Sequence, residues 1–218
     1  ILILLFTITI FLVVCSADKK IGVKGLVNTK EKESIDIVSL KGPTSMGLVK
    51  MMENASKDDE IHKYNFTIVA RADEITAAIV SGEYDMATIP ANLASVLYNK
   101  SNGGIVVAGI NTLGVLYIIE TGEEIHNIED LKGKTIYSTG KGTTPEYTLN
   151  YILTSNGIDP EKDLAIEYKS ESTEVAAILS ESENAIAMLP QPYVTIVMMN
   201  NDKVRIALDL AKEWENVE

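Results

Sequence analysis

Lys134-Thr135-Ile136-Tyr137-Ser138-Thr139-Gly140-Lys141-Gly142-Thr143-Thr144-Pro145 reads as a short strand, a loop of glycine and hydroxyl residues, and the start of a helix through Leu153. The same order occurs earlier. Ile35 to Leu40 predicts a strand, Lys41-Gly42-Pro43-Thr44-Ser45-Met46 a loop, and the residues through Met52 a helix. Each loop presents unpaired backbone N–H groups and hydroxyls at a helix N-terminus, where the helix dipole favours an anion or polar acceptor. Two such units suggest two lobes that offer opposed jaws to one small ligand.

Strand and helix patterns alternate outward from these units. Phe66–Ala70 predicts a strand, Asp73 an N-cap, Glu74–Ser81 a helix and Gly82 its end. Asp85–Ile89 predicts a strand before Pro90-Ala91-Asn92 and a helix through Tyr98. Two apolar, β-branched runs follow, Ile105–Ile110 and Val115–Glu120. Beyond the second unit come strands at Ala165–Tyr168, Ala185–Leu189 and Val204–Leu208, with helices near Thr173–Ser180 and after Pro190-Gln191-Pro192-Tyr193. Pro145 is expected at the first position of its helix. This alternation predicts an α/β protein of mostly parallel sheets with right-handed crossovers. Ligands of such sheets lie at the carboxyl ends of the strands.

The charge balance narrows the partners. A net charge of −12 in 218 residues argues against nucleic acid, which requires clustered Lys and Arg. Arg71 and Arg205 are the only arginines, so a dianion held by several bidentate forks is not expected. Hydroxyl-rich loops and few arginines favour a neutral or singly charged ligand with a flat portion. Ile1–Val14 is almost wholly apolar and fits the core of a secretory signal, without a basic n-region ahead of it. Cys15, the lone cysteine, follows it as in a bacterial lipobox, although Val14 stands where a small residue is usual. The alternative is a signal peptide that ends near a cysteine. Asp18–Ser34, rich in Lys and Glu, reads as a tether.

Several chemistries find no support. Gly133-Lys134-Thr135 mimics the end of a P-loop, but Ile128 stands where the first glycine is required, and a strand follows. His62 and His126 have no partners at metal-ligand spacing, and no serine sits in a nucleophile elbow. Neither a metal nor a cofactor is expected. Lys57-Asp58-Asp59-Glu60 reads as a solvated surface.

Three segments together resemble the substrate-binding proteins of ABC importers in the nitrate/sulfonate/taurine group, related to the NMT1/THI5-like proteins. They are Gly82-Glu83-Tyr84-Asp85-Met86-Ala87, Asp130-Leu131-Lys132-Gly133-Lys134-Thr135-Ile136 and Asn156-Gly157-Ile158-Asp159-Pro160. The resemblance covers about Ile35 to Leu210 and implies a two-lobed fold of the periplasmic-binding-protein type II. It implies a signal segment at 1–15, a tether at 16–34, lobe one at 35–112 and a hinge crossing at 113–120. Lobe two would span 121–207, with a second crossing and the start of a return to lobe one at 208–218. The helices that complete that return in the family are missing from the sequence given.

The implied function is extracytoplasmic capture of a small polar or heteroaromatic ligand and its delivery to ABC permease subunits. The protein would be a monomer held at the outer face of a bacterial membrane by a lipid on Cys15, or periplasmic. The alternatives are a sensing receptor without transport and an enzyme of the pyrimidine-precursor or menaquinone type on the same scaffold.

The candidate contacts of lobe one are Gly42, Thr44, Ser45, Met46, Arg71, Pro90 and Asn92, and Asn111 lies at the hinge. Thr44 and Ser45 either meet ligand or cap a helix, and Asn92 likewise. Arg71 either meets an anion or pairs with Asp73 or Glu74. In lobe two the candidates are Lys141, Gly142, Thr143, Thr144, Tyr147, Gln191 and Tyr193. Tyr147 either stacks on a flat ligand or packs inward, and Lys41 and Lys141 either pair with an anion or are solvated.

Overall fold

The computed structural model describes residues 33–57 and 62–217. The apolar N-terminal run, Cys15, the tether up to residue 32 and residues 58–61 lie outside the described residues. β1 (Ser34–Leu40), β2 (Lys63–Val69) and β3 (Met86–Thr88) form a parallel sheet in the order β2-β1-β3. β5 (Thr135–Ser138), β6 (Ala165–Tyr168) and β7 (Ile186–Pro190) repeat that order as β6-β5-β7. In both triplets the first strand therefore lies between the other two. Each crossover carries a helix, as parallel pairing requires.

The second sheet continues beyond β7 with β4 (Leu116–Glu120) and β8 (Arg205–Asp209). β4 pairs antiparallel with both of its neighbours, a departure from the purely parallel pairing that strand–helix alternation suggests. It follows an irregular stretch instead of a crossover helix and so enters the sheet from the other end. From Leu116 onward, the segment 113–120 is therefore a strand of this sheet. Ile118 and Ile119 point to opposite faces, and both are fully buried. The expected second crossing from 208 likewise begins inside β8 before passing into α8 (Leu210–Glu215).

Two apolar clusters cover the faces of the five-stranded sheet. One joins Ile118, Ile136, Ile186 and Met188 to Leu149, Ile152 and Leu153 of α5 (Thr144–Ser155). The other joins Ile119, Ala187 and Leu189 to Val175 and Leu179 of α6 (Ser172–Glu181). It also takes in Tyr193, Val194 and Val197 of α7 (Tyr193–Asn200). The alternation Ile186/Met188 against Ala187/Leu189 is the period of a strand buried on both faces.

The smaller sheet buries Ile37 and Val38, together with Ile75 of α3 (Ala72–Ser81) and Leu97 of α4 (Ala91–Lys100). The apolar run Ile105–Ile110 forms no strand. Val106 is 89% exposed and Leu113 is 83% exposed. Among the described residues, β3 pairs only with β1.

The helix expected through Met52 is two helices, α1 (Pro43–Met46) and α2 (Val49–Ser56), separated at Gly47. Space is the reason for glycine there, since a Cβ at Gly47 would lie 2.7 Å from Asn111 Nδ2. Arg71, and not Asp73, occupies the N-cap of α3. Pro145 follows Thr144, the first residue of α5, so it stands one place later than expected.

Candidate functional site

The loops that follow β1 and β3 in one lobe meet those that follow β5, β6 and β7 in the other. Asn92, in the first turn of α4, makes the most direct link. Its amide nitrogen donates to Gly142 O at 3.1 Å, and its amide oxygen accepts from the Thr144 hydroxyl at 3.1 Å. Pro90 is the N-cap of α4 and sets the start of that helix. Lys41 reaches across to Glu171, with 3.9 Å between Nζ and Oε2. Gly42 faces the Tyr193 ring, which would lie 3.6 Å from a Cβ at that position. The φ of Gly42 is 113° and its ψ is −145°, a region that is essentially restricted to glycine. Burial raises the pKa of Tyr193, and the Glu171 carboxylate adds to the shift.

The hydroxyls of Thr44 and Ser45 do not cap α1. Both donate back to Leu40 O, at 2.6 and 2.7 Å. Ser45 also shares a hydrogen bond with the fully buried Ser39, 2.7 Å between hydroxyl oxygens, and Ser39 lies 2.6 Å from the Thr88 hydroxyl. This chain of hydroxyls ties the loop after β1 to β3. Substituting Ser39→Ala leaves Ser45 and Thr88 one partner short in a buried position. A loss of about 1–3 kcal/mol is expected, measured as a shift in the urea unfolding midpoint.

On the crossing side, Asn111 Nδ2 donates to Thr44 O at 2.9 Å, and Thr112 Oγ1 donates to Pro43 O at 3.1 Å. Met46, Gly47, Asn111 and Leu113 line a cleft of about 310 Å³ with Gln191 of lobe two. The Gln191 amide oxygen accepts from the Thr195 hydroxyl at 2.8 Å.

In the glycine loop of lobe two, Gly142 N–H donates to Glu146 Oε2 at 2.5 Å, and the Thr143 hydroxyl donates to Gly140 O at 2.6 Å. Lys141 Nζ lies 5.8 Å from the centre of the Tyr168 ring. Burial, and next the Glu146 charge, raise the Tyr168 pKa. Tyr147 is exposed on α5 and does not pack inward.

Arg71, which follows β2, forms a fork on Asp73, at 3.0 and 2.6 Å, and that pairing raises its pKa further. The jaws thus unite Gly42, Asn92, Gly142, Thr144 and Tyr193, while the Arg71 side chain is engaged in a local surface pair.

Glu146, Glu171, Ser39 and Thr88 were not among the residues expected at the site. Glu146 carried one legible signal, an acidic residue in the first turn of a helix. Glu171 carried none, because only the packing of the two lobes brings it to Lys41. Among the described residues, no group of three or more His, Cys, Asp or Glu side chains is placed to hold a metal ion. No helix among them is long and apolar enough to cross a membrane.

Two α/β sheets of repeated order, with their strand-end loops facing each other, define the two-lobed fold of the periplasmic-binding-protein type II. Solved structures share it. An ABC transporter protein from Parabacteroides distasonis superposes with a TM-score of 0.63 at 24% identity, covering 82% of this chain and 60% of that one. The periplasmic aliphatic sulphonate binding protein SsuA from Escherichia coli gives 0.64 at 18% identity, covering 83% and 61%. A binding protein component of an ABC phosphonate transporter from Pseudomonas aeruginosa gives 0.54 at 15% identity, covering 86% and 72%. The chain therefore spans about three fifths of the length of the first two. No curated protein sequence matches it. Residues 48–208 match the family described as ABC transporter, phosphonate, periplasmic substrate-binding protein, and the chain belongs to that family.

Proposed function

We propose that this protein is an extracytoplasmic solute-binding protein that captures a small polar or heteroaromatic ligand between its lobes and delivers it to ABC permease subunits. The observation that carries this reading is the bridge from Asn92 to Gly142 and Thr144, which joins strand-end loops of two separate sheets. Ligands of α/β sheets sit at such loops, and closure of two lobes about a crossing is a common capture motion. No bond is broken in this account. The work done is differential affinity for the open and closed states.

The ligand contacts proposed are Gly42, Thr44, Met46, Asn92, Asn111, Lys141, Gly142, Thr143, Thr144, Tyr147, Gln191 and Tyr193. Ser45 and Pro90 would shape the jaws around them, and Arg71 would meet an anionic ligand only by leaving its pair with Asp73. Within the family, the Asp130–Ile136 segment supports the nitrate/sulfonate/taurine and NMT1/THI5-like branch. The protein would act as a monomer, anchored by a lipid on Cys15 at the outer face of a bacterial membrane. A return segment following α8 would pair with the free edge of β3, as β4 pairs with β7, and cover the exposed apolar stretch around Val106 and Val107.

Ligand-dependent melting of the full-length protein tests the reading. The panel comprises sulfonates, phosphonates, nitrate, pyrimidine precursors and riboflavin-like compounds. A true ligand at a hundred times its Kd stabilises by about 2.7 kcal/mol. For a protein of this size that raises Tm by roughly 5–10 °C. No shift with any compound counts against the proposal.

A further inference from the structure

Near the jaws, two lysines and the N–H of Gly142 are already held by the chain's own carboxylates. Lys41 pairs with Glu171 across the lobes at 3.9 Å. Lys169, which opens the loop after β6, pairs with Glu167 at 2.9 Å. Gly142 N–H, in the loop whose glycines and hydroxyls suggest an anion cradle, is taken by Glu146 at 2.5 Å. Arg71 is forked on Asp73, and Arg205 is engaged with the buried Glu120 in the far part of the larger sheet. Lys141 has its ammonium over the Tyr168 ring and makes no ion pair among the described residues.

A ligand oxyanion arriving at Gly142 must displace the Glu146 carboxylate, which stays tethered one helical turn away and repels it. At Lys41 it meets the same obstacle in Glu171. The repulsion grows with each negative charge on the ligand and is strongest where closure excludes water.

Resting on the solute-binding reading, we infer that Glu146 and Glu171 are specificity residues that set the cleft against dianions, so that its ligand is neutral or carries a single negative charge met by Lys141. The inference separates this chain from what its family's description names, since a phosphonate, unlike a sulfonate, takes up a second negative charge above its second ionisation. It also differs from a purely structural role for Glu146 as a favourable charge in the first turn of α5. A helix-stabilising carboxylate changes the melting temperature when it is neutralised. It does not change which anions bind.

The test is calorimetric titration of the full-length protein with inorganic phosphate, methylphosphonate and methanesulfonate, at a pH above the second ionisation of the first two so that both are dianions, for the wild type and for Glu146→Gln and Glu171→Gln. The wild type is expected to bind phosphate and methylphosphonate with Kd weaker than about 1 mM. In Glu146→Gln both are expected to tighten at least tenfold, with a smaller gain for the monoanion methanesulfonate. Glu171→Gln should act in the same direction and carries the test if Glu146→Gln does not fold. Tight binding of methylphosphonate by the wild type would overturn the inference. So would anion affinities in folded variants that stay within twofold of wild type. If no compound of the melting panel binds the wild type, the solute-binding reading falls, and the gain of phosphate binding in the variants still decides this one.

Discussion

Replacing the partly exposed Arg205 with leucine is expected to cost about 3–5 kcal/mol, the usual penalty for leaving a buried charge without its partner. Arg205 of β8 stands directly opposite Glu120 of β4 in the antiparallel ladder, and the Glu120 side chain is only 3% exposed. The guanidinium bonds the carboxylate and also donates to Gly122 O at 3.1 Å and Ile125 O at 2.7 Å. Glu120 in turn accepts from the N–H groups of Glu124 and Ile125, both at 3.1 Å. One pair thus closes the loop between β4 and the rest of lobe two. Without Arg205 the carboxylate keeps two backbone donors but loses its countercharge in a buried setting. Thermal melting should show Tm lowered by roughly 6–20 °C. The double variant Glu120→Met/Arg205→Leu removes both charges and should recover much of the loss. A single-variant melt within 2 °C of wild type would mean that the carboxylate is wetter than the structure has it.

The second large effect is on closure. Asn92→Ala removes both bonds that link α4 to the glycine loop of lobe two. At about 0.5–1.5 kcal/mol per hydrogen bond, the closed state loses roughly 1–3 kcal/mol, a shift of about five- to more than a hundredfold towards the open state. Any ligand that binds only the closed state loses affinity by up to the same factor. Spin labels placed by cysteine substitution at Val80 on α3 and Met199 on α7, both exposed, would report the separation of the lobes, with Cys15 replaced. The distance distribution of Asn92→Ala should move to longer values than that of the labelled parent. Coincident distributions would show that these bonds do not hold the lobes together.

Much of this architecture was legible in the chain itself. The strands at 35–40, 165–168 and 185–189 announced themselves through short apolar or β-branched runs bounded by turn residues. Gly82, with φ 74°, ends α3 as a left-handed cap, as its place after Ser81 indicates. The repeat of strand–loop–helix units became the repeat of sheet order, β2-β1-β3 and β6-β5-β7.

The features that local sequence leaves open are those decided by contacts distant in sequence. Val115–Glu120 reads as an apolar, β-branched run, and its antiparallel pairing with β7 and β8 carries no local signal. Thr44 and Ser45 can from sequence either meet ligand or cap a helix, and in the structure the Leu40 carbonyl sits within reach of both hydroxyls and accepts from them. Asn92 was singled out for a ligand or a cap. The structure uses its amide for the opposite lobe, a role that no local pattern can signal. The two carboxylates that neutralise the jaws, Glu146 and Glu171, were hidden for the same reason.

The most direct test of the account is a crystal structure of the full-length protein with the tightest-binding compound of the melting panel. The ligand is predicted to lie between the lobes, touching both the Gly42–Met46 loop and the Gly142–Tyr147 segment, with Lys141 as its nearest cation. Density confined to the surface of one lobe, or seated beside Glu120 and Thr121 away from both loops, would contradict it.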